Sequence, residues 1–208
     1  NYIAMTSGST HGIHSDCSSC VVHAQSLVDT LECAGLTWKT YAEGLPHAGF
    51  EGARAGSYAK KHDPFLYFSD VASSPRRRAN VVPLTHLRTD AVSGRLPSVA
   101  LIVPDQCHDM HSCPIATGDR WVRTNIVPLL HLRSLERSVV FVVFDEGTTG
   151  AGGGGHVAAL AIGPEVRPHS HFSGATSHYG LLRTIEDAWG LPPLARSTTA
   201  RPITGIWR

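Results

Sequence analysis

The sequence contains no long apolar run and almost no net charge, and these two absences exclude whole classes of function. None of its apolar stretches approaches the roughly 20 residues that a transmembrane helix needs. The formal net charge of the 208-residue chain is only +1. Its basic cluster, Arg76–Arg78, stands alone without interleaved aromatic residues, unlike the basic surface of a nucleic-acid-binding protein. The sequence therefore predicts neither stable membrane insertion nor a nucleic-acid partner.

Cysteine is scarce as well, with five residues in the chain. Cys17 and Cys20 form a C-x-x-C, which can be a redox motif, half of a zinc knuckle or a structural disulfide. A second pair at zinc-site spacing is missing, and the Ser and Asp neighbours indicate a loop. A structural disulfide in an exported protein is therefore favoured. Cys107 and Cys113 are close enough in sequence for a second, local disulfide. These patterns predict a secreted or cell-envelope protein.

The sequence also begins without a start methionine or a signal peptide. Residues 1–8 (NYIAMTSG) read as the middle of a structured element. We therefore expect the chain to be N-terminally incomplete, with a signal peptide and the first strand of the sheet upstream.

The patterning predicts one α/β domain over residues 1–208. Apolar residues make up 42% and charged residues 17% of the chain, as in ordinary soluble globular proteins. Between the apolar segments, residues 43–78 are rich in Gly, Pro, Ala and Arg and predict a long loop excursion. Alternating strands and helices indicate a mostly parallel central sheet flanked by helices. The predicted strands are 36–41, 96–104, 139–144 and 156–162, and the predicted helices are 21–34, 119–132 and 178–189.

The segment 139–147 (VVFVVFDEG) is the most informative stretch. Its six apolar residues predict an interior strand of a sheet covered on both faces. Asp145 and Glu146 would then be delivered to the carboxyl end of that strand, where ligands gather in open α/β sheets. Two adjacent, desolvated carboxylates favour a hard cation, whereas a plain surface turn would leave both acids solvated. A turn is predicted at Gly152–Gly155, which lacks the Lys-Ser/Thr of a phosphate-binding P-loop.

Histidine is the one residue type in excess, with 13 in the chain, and several lie in loops beside these acids. It is the side chain best suited to proton transfer near neutral pH and to metal binding. The loop after the 96–104 strand carries Asp105, His108, Asp109 and His111, and His178 opens the last helix. A helix N-terminus also suits an anion. We therefore expect Asp109, His111, Asp145, Glu146 and His178 to cluster within about 10–12 Å of one another.

Taken together and in order, several segments resemble the bacterial phosphoesterase family of the alkaline phosphatase superfamily. That family includes secreted acid phosphatases, phosphatidylinositol-3-phosphatase-like members and phosphocholine-type phospholipases C. The resemblance runs from Asn1 to about Pro193 and implies an alkaline-phosphatase-like fold. The segments are NYIAMTSGST, LTWKTYAEGLP, KHDPFLYF, LPSVALIVPDQCHDMHSC, VFDEG, GGGGHVAALAIGP and SHYGLLRTIEDAWGLP.

The resemblance also implies roles for individual residues. Asp145 and Glu146 match the acidic pair that binds the catalytic metal, one divalent ion of unknown identity. Asp109 is predicted as a further metal ligand, and His111 and His178 as catalytic residues near the phosphoryl oxygens. His62 and His156 are weaker candidates, predicted to bind substrate. Glu43 is interpreted as a structural or rim acid.

Two parts of the family pattern are expected upstream of this chain. These are an acidic-Asn metal-binding pair and a Ser or Thr nucleophile. Thr6, Ser7 and Ser9 match the helix after the nucleophile, so none is assigned that role. The intact protein is predicted to hydrolyse phosphomonoesters of small molecules or phosphoinositides through a phosphorylated Ser or Thr, with this fragment close to inactive. The alternatives are a phospholipase C-type phosphodiesterase and a non-catalytic secreted binding domain.

Overall fold

The computed structural model describes residues 1–150 and 154–208. Gly152 and Gly153 of the predicted glycine turn lie outside the described residues. The described residues form two compact units, named for their place along the sequence: a central unit of residues 13–134, and a flanking unit of residues 1–12 and 135–208. That residues 1–208 form a single domain stays a prediction.

A three-stranded parallel sheet forms the core of the central unit. Strand β1 (Trp38–Ala42) lies in the middle, hydrogen-bonded to β4 (Val81–Pro83) on one side and to β5 (Val99–Val103) on the other. Tyr41 and Ala42 are fully buried. The sequence of residues 36–41 alternates like a half-exposed strand, whereas β1 is buried at every position except Lys39, because it lies between two paired strands.

Short helices lie around this sheet and complete an α/β unit, which confirms the predicted fold class. The helices are α2 (Leu27–Cys33), α3 (Ser69–Ala72), α4 (Pro75–Arg78), α5 (Thr85–Val92) and α6 (Ile115–Asn125). All of them except α4 supply apolar side chains to the core, including the fully buried Val28, Leu31 and Val71.

Two predicted helices have different bounds because local hydrogen bonding decides where they begin and end. Helix α2 begins after Ser26, whose backbone N–H donates to the Asp29 carboxylate at 2.8 Å. Helix α6 begins directly after Pro114 and ends at Asn125. The 3₁₀ turn that follows contains Pro128, which has no N–H to continue the α-helical ladder.

The segment predicted as a long loop, residues 43–78, contains only short elements. Strands β2 (Arg54–Ala55) and β3 (Tyr58–Ala59) form a small antiparallel hairpin, followed by 3₁₀ turns at Lys60–His62 and Pro64–Tyr67. Helices α3 and α4 complete it. At its end, the Arg77 guanidinium pairs with the carboxylates of Asp29, Glu32 and Asp70, so much of the basic cluster serves a structural ion-pair network.

The flanking unit contains a two-stranded antiparallel sheet and two helices. Strands β6 (Val140–Val143) and β7 (Ala159–Ile162) form the sheet. Helix α7 (His178–Trp189) has the predicted bounds and ends at Gly190, whose φ of 64° is the left-handed conformation that suits glycine. Helix α1 (Tyr2–Ser7) ends at Gly8, against the backbone of Leu194.

The prediction that residues 139–144 form an interior strand, covered on both faces, is wrong. Strand β6 is only half-buried along its whole length, and its described neighbour is the antiparallel β7 rather than a parallel strand. A short apolar run fixes neither the direction of pairing nor the number of neighbours, which explains the error. Among the described residues, no helix has the length and apolar character needed to cross a membrane.

Candidate functional site

In the central unit, the loop that follows β5 is held in shape by its own side chains. The Asp105 carboxylate accepts the backbone N–H groups of Cys107 and His108, each at 3.0 Å. The Asp109 carboxylate accepts the N–H of His111 at 2.8 Å. A disulfide between Cys107 and Cys113 closes the loop, as predicted. The loop therefore presents Asp109 and His111 from a constrained backbone.

Three predicted site residues come together beside this loop. The buried His62 lies on the short 3₁₀ turn after β3, and its Nδ1 is 2.9 Å from Asp109 Oδ2. The ring centroids of His62 and His111 are 6.1 Å apart. An ionised carboxylate can only accept, so His62 Nδ1 carries the hydrogen, and the pair fixes the orientation of the ring. Such carboxylate–imidazole pairs are typical of catalytic and metal sites.

A second cluster, Glu43, Asp105 and His108, was not predicted as a site. His108 Nδ1 lies 2.9 Å from Glu43 Oε2 and 3.2 Å from Asp105 Oδ1. One ligand atom from each of the three lies within 4.8 Å of the others, which makes this the one three-residue group among the described residues that could hold a metal. Glu43 Oε2 also accepts the backbone N–H of Asp105 at 3.0 Å. As it stands, the cluster ties the end of β1 to the start of the loop after β5.

In the flanking unit, Asp145 and Glu146 follow β6 and contact two other segments. His178 Nε2, at the start of α7, lies 2.6 Å from the carbonyl oxygen of Asp145. The Asn1 side-chain amide donates to Glu146 Oε2 at 3.2 Å. The acid pair, the histidine that opens the last helix and the first residue of the chain are thus brought together.

The premise that both adjacent acids lose water is wrong for this structure. Asp145 is half-buried, whereas Glu146 is exposed, because the strand that delivers them is itself only half-buried. Gly147 has a clear steric role in the same turn. A Cβ there would lie 2.5 Å from the carbonyl oxygen of His156, so a side chain does not fit. His156 itself is exposed.

The structure therefore brings together His62, Asp109 and His111 in the central unit, and Asp145, Glu146 and His178 in the flanking unit. That these two groups form one site stays a prediction. Glu43 was available to sequence reasoning as the acid that directly follows a buried strand. Its partnership with the loop after β5 depends on strand pairing, which periodicity does not encode.

Both predicted disulfides are present, and the structure also shows which cysteine stays free. Cys17 and Cys20 form a disulfide, as do Cys107 and Cys113, and Cys33 is an exposed free thiol. Two disulfides are compatible with a secreted protein.

Comparison with known proteins confirms the resemblance found in the sequence. The model of the Phosphoesterase family matches residues 1–192. A phosphatidylinositol-3-phosphatase of Mycobacterium tuberculosis is 31% identical over 210 residues, covering the whole chain and 67% of that protein. A probable acid phosphatase of Kluyveromyces lactis is 29% identical over 94% of the chain and 49% of its own length. An acid phosphatase of Aspergillus fumigatus is 27% identical over 94% of the chain and 46% of its own length.

The chain thus spans about two thirds of the first of these relatives and about half of the others. The family match extends over nearly all of its residues and includes both groups of candidate site residues. The chain therefore belongs to the Phosphoesterase family, a family of phosphoric ester hydrolases.

Proposed function

We propose that this protein is a metal-dependent phosphomonoester hydrolase of the acid phosphatase type, acting through a phosphorylated Ser or Thr. The observation that carries the proposal is the His62–Asp109 pair beside His111, on a loop closed by a disulfide. Family membership and the phosphatase relatives support the same reaction class. The substrate class is a phosphorylated small molecule or, by analogy with the mycobacterial relative, a phosphoinositide.

The histidines have distinct proposed roles because their ring nitrogens have distinct partners. Asp109 fixes His62 with its hydrogen on Nδ1, so Nε2 is the nitrogen that would accept a proton and, once protonated, give it to a leaving-group oxygen. A carbonyl oxygen only accepts, so His178 Nε2 donates to Asp145, and Nδ1 can donate to a phosphoryl oxygen when the ring is protonated. We propose that the His111 ring, positioned by the bond from its backbone N–H to Asp109, faces the phosphoryl group.

Neither Thr6 nor Ser7 of helix α1 is a suitable nucleophile. Thr6 and Ser7 donate to backbone carbonyl oxygens one turn earlier, at 3.0 and 2.9 Å. Ser7 Oγ also lies 2.9 Å from His11 Nε2, a separation typical of a nucleophile and its base. However, Ser7 is only 1% exposed, so a phosphate ester cannot reach it. The structure thus favours a helix-stabilising role for this pair.

The residues present fit a divalent metal by their donor chemistry. Asp145 and Glu146 offer carboxylate oxygens, which hard divalent cations prefer, and the Asn1 amide holds Glu146 in place. We propose that these two acids hold the ion. When bound, the metal would neutralise phosphoryl charge and activate the nucleophile. Both oxygens of the third predicted ligand, Asp109, already accept hydrogen bonds, and its role as a ligand stays a prediction.

The disulfides support a proposed location, and the family leaves two further candidate functions. We propose a secreted or cell-envelope location, supported by the two disulfides. A phospholipase C-type phosphodiesterase is the second candidate function within the enzyme class, and a non-catalytic secreted binding domain is the third.

The test is turnover and metal content of the full-length protein, measured together. Asp145→Asn should reduce both metal affinity and hydrolysis of p-nitrophenyl phosphate by about 10- to 100-fold or more. His178→Ala should reduce turnover while metal remains bound. Asp187→Asn is the matched control, since Asp187 also lies in the flanking unit but pairs with Arg183 on the surface of α7.

The outcomes separate the candidates. Wild-type turnover in Asp145→Asn would contradict the proposed metal role, and loss of metal in His178→Ala would make that histidine a ligand. Preference for bis-p-nitrophenyl phosphate over the monoester would favour the phosphodiesterase. Absence of turnover on both substrates, with phosphate still bound, would favour the binding domain.

A further inference from the structure

Lys61 lies among the candidate site residues of the central unit but has no role in the proposed mechanism. It immediately precedes His62, and its side chain is only 19% exposed. Its Nζ lies 3.5 Å from His111 Nε2 and 2.6 Å from Asp16 Oδ2. A primary ammonium, two imidazoles and the Asp109 carboxylate are therefore grouped around the 3₁₀ turn and the loop after β5.

The Lys61 ammonium group can donate one more hydrogen bond beyond these two contacts. A lysine offers three N–H donors, and the described residues supply acceptors for two of them. A lysine only donates, so His111 Nε2 is the acceptor in this contact. The other ring nitrogen, Nδ1, is then free to donate to the Ser112 hydroxyl, 3.3 Å away. Lys61 thus places a cationic side chain directly beside His111, one of the two histidines proposed to face phosphate.

Asp16 is a weak competitor for that charge. Its side chain is 77% exposed, and it lies next to the Cys17–Cys20 disulfide loop rather than in the sheet. Lys61 lowers the pKa of Asp16, first through their hydrogen bond, so Asp16 is ionised at neutral pH. Exposed ion pairs of this kind are weak and screened by salt. A phosphate dianion brings more charge and more acceptor oxygens than one carboxylate, and can replace Asp16 as the partner of Lys61.

We propose that Lys61 is a phosphate-binding residue of this site and that Asp16 occupies its ammonium group when phosphate is absent. This inference rests on the proposed function, since it adds a residue to the same phosphate site. It also assigns Asp16 a competing role. The alternative is that the ion pair only attaches the disulfide loop to the 3₁₀ turn.

The two interpretations predict different signs for two variants, which makes the test sharp. The measurement is isothermal titration of inorganic phosphate into the protein, at fixed pH and low ionic strength, with the metal that supports turnover present. Lys61→Met should weaken phosphate binding by about tenfold or more, the usual effect of losing a charge-assisted hydrogen bond. Asp16→Asn should strengthen phosphate binding by about threefold, because it removes the competing carboxylate.

Two further variants control for charge and for folding. Lys61→Arg keeps the cation and should bind phosphate within a few-fold of the wild type. Lys60→Met is the matched control, since the Lys60 ammonium lies 5.1 Å from the centre of the Tyr67 ring instead of facing the histidines. If Lys61→Met fails to fold, the exposed Asp16→Asn still tests the proposal through its sign.

A purely structural ion pair would make Lys61→Met and Asp16→Asn change phosphate affinity in the same direction or not at all, and either result overturns the proposal. Absence of phosphate binding by the wild type also overturns it. Turnover by the wild type with unchanged phosphate binding in Lys61→Met would refute the role of Lys61 and leave the proposed function standing. If the two variants change phosphate affinity in opposite directions but the wild type shows no turnover, the proposed reaction is refuted and the phosphate site stands.

Discussion

Replacing Asp63 with asparagine tests how a buried charge sets the pH dependence of stability in the central unit. Asp63 is 0% exposed, and neither of its carboxylate oxygens has a hydrogen-bond donor among the described residues. Burial raises the pKa of Asp63 to about 7, although the Lys60 charge and the nearby Tyr58 hydroxyl favour the ionised form. The Tyr58 and Tyr67 hydroxyls are buried and lack partners within the same described part of the chain.

The direction of the pH dependence of stability follows from comparing proton binding in the folded and unfolded states. Asp63 has a folded pKa of about 7, against about 3.9 for an unfolded aspartate, so between these values the folded state binds more protons than the unfolded one. Stability from this group is therefore greatest at low pH and is lost as pH rises from about 4 to about 7. Three pKa units at roughly 1.4 kcal/mol each give an upper limit of about 4 kcal/mol for the total loss.

Asp63→Asn removes this pH dependence because the amide does not ionise. The buried NH₂ group adds a constant cost of about 1–3 kcal/mol if it finds no acceptor. The informative quantity is therefore the difference in unfolding free energy between variant and wild type as a function of pH. It should rise in favour of the variant by up to about 1.4 kcal/mol per pH unit between pH 4 and 7, then level off.

Urea unfolding followed by tryptophan fluorescence at pH 5, 6, 7 and 8, at constant ionic strength, measures this difference. Asp119→Asn is the control, since Asp119 lies in the same unit but its side chain is 57% exposed and pairs with Arg123 on the surface of α6. A variant curve that runs parallel to the wild type across the whole pH range would refute the reasoning. It would mean that Asp63 is ionised and solvated in the folded protein.

Three further outcomes are expected. Replacing Cys107 and Cys113 with serine should lower the unfolding free energy in urea by only about 2 kcal/mol, but it should reduce phosphate-ester turnover more strongly. Unchanged turnover would show that the disulfide does not position the loop. Glu186→Ala should cost about 3 kcal/mol or more in urea unfolding, because two buried donors bond to its carboxylate at 2.9 and 2.6 Å; a loss under 1 kcal/mol would show that water replaces it. Gly180→Ala should lower the melting temperature by several degrees, since a Cβ there would lie 2.5 Å from the Arg201 carbonyl oxygen; an unchanged value would show that the backbone yields.

The sequence predicts those features that depend on local patterns. The apolar periodicity of residues 178–189 and the glycine that follows specify helix α7 to the residue. An apolar run bounded by prolines specifies β5, although only Val103 is fully buried there, and the short spacing of Cys107 and Cys113 predicts their disulfide. Placing reactive side chains after strands also identified Asp109 and His111, and the family resemblance added His62; the fold brings the three together.

The features that were missed depend on contacts between distant segments. Glu43 joins Asp105 and His108 only because β1 and β5 are paired, and a single acid after a strand carries no sign of that partnership. The antiparallel pairing of β6 was missed because an apolar run of its length is equally compatible with a parallel interior strand. Lys61 and Asp16 likewise meet only through tertiary packing.

The position of β1 in its sheet has a consequence for how the chain folds. Strand β1 ends at Ala42, whereas its two partners begin at Val81 and Val99, so both of its hydrogen-bonding edges stay unpaired until much of the central unit has been synthesised. Non-local parallel pairing of this kind folds slowly, and an uncovered apolar strand can pair with other chains. We therefore expect refolding yield to fall steeply with protein concentration, because aggregation through β1 competes with the arrival of β4 and β5.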